Sequence, residues 1–294
     1  MKLPANVVVG ACSHTGKVRT NNEDDYLLGA LDGGPFLAAI ADGMGGLAGG
    51  AEASRTALRA AAAVVLDGGS QVPIAQRVSD GFAAAAQRVF DASRAVPALR
   101  DMGTTLTLVC LADRELVVGH VGDTRLCRVR QGKCEQLTED HAVREPDNLL
   151  TRCIGAGQAA VQPDHAVLAT AAGDRFVLVT DGVWSVVPAA RFAQLVARGE
   201  PQVVAERLVA EALAHGGPDN ATAVVIDIGA GGGRAPHVVA LPREEPGDRA
   251  SWPRPEPLRG PLWPWALWAV GVALLVHAGL VVSGFERGLL AFAP

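Results

Sequence analysis

Two stretches of the chain share a design that narrows the folds open to it. FLAAIADG (36–43) and FVLVTDG (176–182) are apolar runs of strand length, each closing on Asp-Gly. A run without polar alternation must be covered on both faces, so each reads as an interior strand of a layered domain. The closing carboxylate then sits at a sheet end, where rigid strands can hold several such groups together. The glycine beside it lets backbone approach a ligand closely. Asp123 follows glycine in HVGDTR, and Asp219 stands in GGPDNAT just ahead of a further strand-like run. Taken singly, Asp-Gly is an ordinary turn signal, and Asp32-Gly33 and Asp67-Gly68 are read as turns.

Alternation and turn residues predict a β-meander over 104–111, 115–121 and 124–130, with tight turns at 112–114 and 122–123, and a last strand over 222–228. Helical spacing covers 52–66, 74–93 (apolar at Val78, Phe82, Ala85 and Val89), about 188–197, and 201–214. Strands arrive in runs with helices grouped between them and no repeat is apparent, which predicts an α+β layered domain over residues 1–229 rather than a regular βαβ alternation.

Hydrophobic residues make up 49% and charged residues 19%, enough for a sizeable core. Aromatics are only 4%, so small-residue helices packed close to their neighbours are expected. The net charge of -5 argues against a nucleic-acid partner, because phosphate backbones need a basic surface. Five cysteines, an odd number without a CxxC pair, argue against a disulfide framework or a zinc knuckle and fit a reducing cytosol. The apolar run Val7 to Val9 meets Ser13-His14 too soon for a signal peptide.

Composition changes near Gly229. Residues 230–261 are Gly- and Pro-rich and read as an extended linker. Residues 262–285 then carry no formal charge, His277 aside, and Trp263, Trp265 and Trp268 cluster at their start. A helix of that length crosses a hydrocarbon layer of about 30 Å, with the tryptophans at the interface. A transmembrane helix over 262–285 and a short tail over 286–294 are therefore expected. Arg243, Arg249, Arg254 and Arg259 precede the span and only Arg287 follows it. That bias places the N-terminal domain on the cytoplasmic side of a single-pass cell-membrane protein.

Carboxylates gathered at strand ends suit hard divalent cations such as Mg²⁺ or Mn²⁺ rather than zinc. The order of motifs then adds a family. SHTGKVRTNNEDD, ADGMGGLAGGAEAS, GTTLTLV, GHVGDTR, LTEDHAV, LTRCIGA, TDGVW and GGPDNATAVVI follow one another along residues 6–228. This succession resembles the bacterial form of the PPM (PP2C-type) metal-dependent serine/threonine protein phosphatases.

The resemblance implies a four-layer α-β-β-α sandwich, two antiparallel sheets flanked by helices, with two Mn²⁺ or Mg²⁺ ions at one end. On it, Asp42 bridges the ions, the Gly43 carbonyl ligates one, and Asp181 and Asp219 complete the other. Asp123 belongs to a third, weaker site. Glu23 and Asp24 hold metal-bound waters, Arg19 binds the substrate phosphate, and Asn220 positions the loop of the last ligand. The implied reaction is hydrolysis of phosphoserine and phosphothreonine in proteins by a metal-activated water, opposing a serine/threonine kinase. Cys12 lies outside any CxxxxxR pattern, and no GK[ST] follows the Gly43–Gly50 glycines, so neither a cysteine phosphatase nor a P-loop is indicated. Asp140-His141 reads as structural, and Trp184 as packing under the Asp181 loop.

Three features depart from the family pattern. Glu145-Pro146-Asp147-Asn148 almost directly links His141 to Leu149-Leu150-Thr151-Arg152, so the flap subdomain reads as largely deleted. Ser185 stands where some relatives carry an aspartate for the third metal. Met44 stands where eukaryotic members carry a histidine. A catalytically silent binding module of the same fold is the alternative reading, and the intact Asp42, Gly43, Asp181 and Asp219 weigh against it.

Overall fold

In the computed structural model the chain runs through two facing sheets. The structure describes residues 4, 6–31, 34–45, 49–67, 71–143 and 149–229. The first third contributes β1 (Val7–His14), β2 (Asp24–Ala30) and β3 (Phe36–Met44), then the helical pair α1 (Gly49–Asp67) and α2 (Ile74–Ala95). The middle third is β4 (Gly103–Thr104), β5 (Leu106–Ala112), β6 (Glu115–Val121), β7 (Arg125–Arg130) and β8 (Lys133–Gln136). Next come a small ribbon of β9 (Ala142–Val143) and β10 (Leu149–Leu150), then β11 (Ile154–Gly155) and β12 (Asp164–Ala169). The rest is β13 (Arg175–Val179), α3 (Asp181–Trp184), α4 (Ala189–Val196), α5 (Pro201–Ala214) and β14 (Ala221–Ile228).

One sheet has the order β1-β14-β13-β7-β8; the other runs β11-β4-β3-β5-β6-β12, with β2 also paired to β3. Every pairing within them is antiparallel. Side chains of a strand alternate between faces, and here each face has its own cover. Phe36, Ala38 and Ile40 of β3 meet Phe176 and Leu178 of β13 and Val224 and Ile226 of β14 between the sheets. Leu37, Ala39 and Ala41 point the other way, onto Ala57 and Ala61 of α1 and Val78 and Phe82 of α2. On the far side, Val177, Val179, Ala223 and Val225 pack beneath Val204, Leu208 and Ala212 of α5. That is an α-β-β-α arrangement, and it explains why neither β3 nor β13 shows polar alternation.

Small residues permit the close layers. A Cβ at Gly10 of β1 would run into the backbone of Pro201 and Gln202 at the start of α5. Gln202 uses this proximity: its side-chain amide bonds both N–H and C=O of Ala11, at 3.1 Å each, covering the outer edge of β1.

The elements depart from the sequence reading in identifiable ways. The strand expected over 104–111 is broken at Thr105 into β4 and β5. Thr105 turns to bond Asp42 twice, its Oγ1 accepting the Asp42 N–H at 2.9 Å and its own N–H reaching the Asp42 carbonyl at 2.9 Å. Helix α1 starts at Gly49, not near residue 52. The apolar run at 7–9 is the start of an eight-residue strand, and β2, the strands β8 to β12 and α3 have no counterpart among the predicted elements. Residues 32–33, and Gly68 after the α1 terminus Asp67, lie outside the described residues, as do 144–148, where the flap is expected to be reduced.

The described residues up to Gly229 belong to one compact unit. The linker over 230–261, the candidate span over 262–285 and the tail over 286–294 lie outside the described residues. Among the described residues no helix is long and apolar enough to cross a membrane.

Candidate active site

Register brings the acidic residues to one end of the sandwich. Asp24 at the start of β2 is paired directly across from Asp42 near the end of β3. In the other sheet Val179 pairs with Ala223 and His14 with Ala221, so Asp181, just beyond β13, and Asp219, just ahead of β14, emerge at one edge. The Gly122-Asp123 turn joins β6 of one sheet to β7 of the other at the same end. Gly122 has a φ of 108°, a conformation open to glycine at little cost.

The strand ends surround a cavity of ≈ 600 Å³. Asp42, Asp123, Asp181 and Asp219 line it, together with Arg19, Glu23, Gly43 and Asn220. Leu149, Leu150 and Cys153 also contribute to its wall. Asp24 is not a lining residue. It is buried behind the floor, where its Oδ2 accepts the hydroxyls of Thr180 at 2.8 Å and Thr222 at 2.7 Å. Its Oδ1 is buried with no hydrogen-bond partner among the described residues.

Burial and crowding shift these carboxyls together. Burial, then Asp24 and Asp181, push Asp42 well above the ordinary carboxylate range. Burial first, then Asp181 and Asp140, raise Asp123 to about 7. Asp24 also rises to about 7 through burial, against the pull of its two threonine bonds. Asp181 is raised by burial and by Asp219, and shares a hydrogen bond with Asp42. Glu23 is raised by burial, with Arg19 opposing.

Such a cluster has charge to receive a divalent cation, oxygen donors of the hard type, and one unsatisfied buried acceptor. No three acidic, histidine or cysteine side chains among the described residues converge on one point. An ion here would therefore complete its shell with backbone oxygen and water, and the Gly43 carbonyl lies beside Asp42. A Cβ on Gly43 would collide with the Gly50 carbonyl, so the close approach of the start of α1 to β3 depends on that glycine.

The remaining groups hold the loops. Asn220 Oδ1 accepts the Glu23 N–H at 2.8 Å, and its Nδ2 donates to the carbonyls of Thr15 and Asn21 at 2.8 Å each. It ties the 15–23 loop to the Asp219 loop. Arg19 donates to Asp219 Oδ2 at 2.8 Å, its side chain 55% exposed at the rim. The Trp184 indole donates to the Asp123 carbonyl at 3.0 Å, and the Arg125 guanidinium lies 3.6 Å from the Trp184 ring centroid. Arg125 in turn grips Asp140 through both carboxylate oxygens, at 3.0 and 2.7 Å.

His141 is buried and exchanges two bonds with Gly122, accepting its N–H at Nδ1 at 3.1 Å and donating N–H to its carbonyl at 2.8 Å. With Nδ1 an acceptor, Nε2 carries the proton toward Asp164, at 3.0 Å. Asp140 and His141 thus brace the Asp123 turn. Trp184 does more than pack, and neither its indole bond nor the Thr180–Thr222 clamp on Asp24 has a signature in local sequence.

Residues 13–215 match the family Protein phosphatase 2C. The chain belongs to the protein phosphatase 2C family. The serine/threonine protein phosphatase PstP of Mycobacterium tuberculosis (strain ATCC 25618 / H37Rv) is 34% identical over 238 residues. That match covers 74% of this chain and 44% of PstP, so this phosphatase 2C chain spans less than half the length of that relative. The crystal structure of the Mycobacterium tuberculosis phosphatase PstP/Ppp superimposes with a TM-score of 0.70 at 31% identity, over 76% of this chain and 99% of that one. A PstP catalytic domain in complex with two manganese ions superimposes with a TM-score of 0.69 at 32% identity, over 76% and 98%.

Proposed function

We infer that this phosphatase 2C chain hydrolyses phosphoserine and phosphothreonine in proteins with the help of divalent cations, Mn²⁺ or Mg²⁺. One observation carries the reading: Asp42, Asp181, Asp219 and the Gly43 carbonyl, separated by up to 177 residues, are gathered at one cavity in a member of this family. Asp42, the Gly43 carbonyl, Asp181 and Asp219 would hold two ions, Asp42 being the ligand assigned to both, and Asp123 would contribute to holding a third. When bound, the cations would offset the charge of a phosphate dianion and acidify water for attack on phosphorus.

The chain's own groups do the rest. Asp24 and Glu23 would accept hydrogen bonds from water held at the site. Arg19 stands at the rim, and its five N–H donors suffice to hold Asp219 and reach phosphate oxygens. Asn220 keeps the loops bearing Arg19, Glu23 and Asp219 in register. No side-chain nucleophile is assigned: water would supply the oxygen that attacks phosphorus, and the departing serine or threonine oxygen would take up a proton from water.

The biological setting follows from the same reading. Phosphoproteins made by a serine/threonine kinase are the substrates. With so short a link between the DH and LTR stretches the flap is reduced and the cavity open, and the span over 262–285 tethers the domain to the cytoplasmic face of the cell membrane. The full chain, purified in detergent, is expected to release phosphate from a phosphothreonine peptide with Mn²⁺ and to stop on addition of a chelator. An inert chain across a range of Mn²⁺ and Mg²⁺ contradicts the reading. Removal of 261–294 is expected to shift the protein from the membrane to the soluble fraction, and an unchanged distribution contradicts the tether.

A further inference from the structure

The two hydroxyls behind the cavity floor make a directed device. Thr180 follows β13 and Thr222 lies in β14, the two strands that deliver Asp181 and Asp219. Thr180 Oγ1 accepts the Thr222 N–H at 3.0 Å, which leaves its own proton for Asp24 Oδ2 at 2.8 Å. Thr222 Oγ1 donates to the same Oδ2 at 2.7 Å. With that proton committed, Thr222 Oγ1 accepts from Ser13 Oγ at 2.8 Å, and Ser13 Oγ accepts from Asn22 Nδ2 at 2.8 Å. Every donor in the chain Asn22, Ser13, Thr222 points toward the Asp24 carboxylate.

The result is asymmetric. Oδ2 holds two short bonds while Oδ1, equally buried, holds none. An unsatisfied buried acceptor is costly and rarely kept without a use. Asp24 is paired with Asp42 across the β2–β3 register, so the open oxygen belongs to a carboxylate on the strand beside the assigned bridging ligand. Hydroxyls from the other sheet set its orientation, and they join the two sheets at the point where ligands from both must meet.

We propose that Thr180 and Thr222 are positioning residues of the metal centre, fixing Asp24 through Oδ2 so that Oδ1 is an acceptor for a cation or its coordinated water. The proposal rests on the metal-dependent reading above. It predicts that the threonine hydroxyls govern metal affinity although neither lines the cavity.

The test is a Mn²⁺ titration of the detergent-purified full chain, followed by the six-line EPR signal of the free ion. Thr180→Val and Thr222→Val keep the shape and remove the hydroxyl. Each is expected to weaken Mn²⁺ binding by about tenfold or more, the effect of losing a partner that orients a metal site. Thr180→Ser and Thr222→Ser are expected to restore it. In an Asp24→Asn background, Thr222→Val is expected to add nothing. Folded valine variants with wild-type Mn²⁺ affinity and only a lowered melting temperature would show a structural role and overturn the proposal. If the valine variants do not fold, Asp24→Asn decides: wild-type Mn²⁺ affinity in that folded variant overturns it equally. Absence of Mn²⁺ binding by the wild-type chain would instead overturn the metal-centre reading, and the proposal with it.

Discussion

Asp123 offers a direct way to measure the strain in the acidic cluster. Asp123 is 5% exposed, and burial, Asp181 and Asp140 raise its carboxyl from 3.8 to about 7. In the unfolded chain it ionises above 3.8; in the folded, metal-free chain it ionises only near 7. A folded value above the unfolded one contributes stability at low pH that is lost as pH rises through the folded value. The loss therefore builds between about pH 4 and 7 and is complete at pH 8. Its ceiling is about 4 kcal/mol, from about 1.4 kcal/mol for each pH unit between the two values. Neighbouring carboxyls share the relief and the loop relaxes, so about half of it is expected.

Asp123→Asn removes this loss. With a chelator present at pH 8, the variant is expected to melt about 4–8 °C above the wild type, at about 2–4 °C per kcal/mol for a domain of this size. The difference should shrink to nothing near pH 4. Excess Mn²⁺ should reverse the order, because the wild type gains more from the cations than the variant does. A variant no more stable than the wild type at pH 8, or a gain of equal size at pH 4.5, would refute the argument that the cluster is held under repulsion.

Two further outcomes follow from other groups. Asn220→Ala deletes three hydrogen bonds at 2.8 Å that join two loops; urea unfolding should show a loss of about 2–4 kcal/mol, with a parallel drop in kcat/KM for a phosphopeptide. His120 is 1% exposed, and burial together with His141 lowers it to about 4. A lowered value contributes stability above the unfolded 6.5 that is lost as pH falls toward 4, so wild type should lose about 3 kcal/mol more than His120→Gln across that window in urea titrations.

Much of the architecture was legible because its signals are local. The apolar runs at 36–41 and 176–179 announced strands covered on both faces, and their closing Asp42 and Asp181 do reach one cavity. Helices α2, α4 and α5 fall within a few residues of their periodic patterns. What escaped depends on contacts made across the fold. The Gly10–His14 part of β1 carries small and polar residues because α5 presses against it, so no alternation marks it. The break at Thr105 arises from Asp42, 63 residues away. β12 is an outer strand with exposed His165 and Val167, and its pattern resembles a loop. Within the site, the aspartates were readable as a class. The Thr180 and Thr222 hold on Asp24 spans 156 and 198 residues, and no spacing rule reaches that far.

The central claim is that Asp42 organises cations for phosphoester hydrolysis. Phosphate release from a phosphothreonine peptide, followed against Mn²⁺ concentration for the full chain and its Asp42→Asn variant, tests it most directly. Wild type is expected to turn over with saturable Mn²⁺ dependence, and the variant to fold yet lose more than about a hundredfold in rate, beyond the loss typical of a group that only supports a ligand. A folded Asp42→Asn variant with near wild-type, Mn²⁺-dependent turnover would contradict the account.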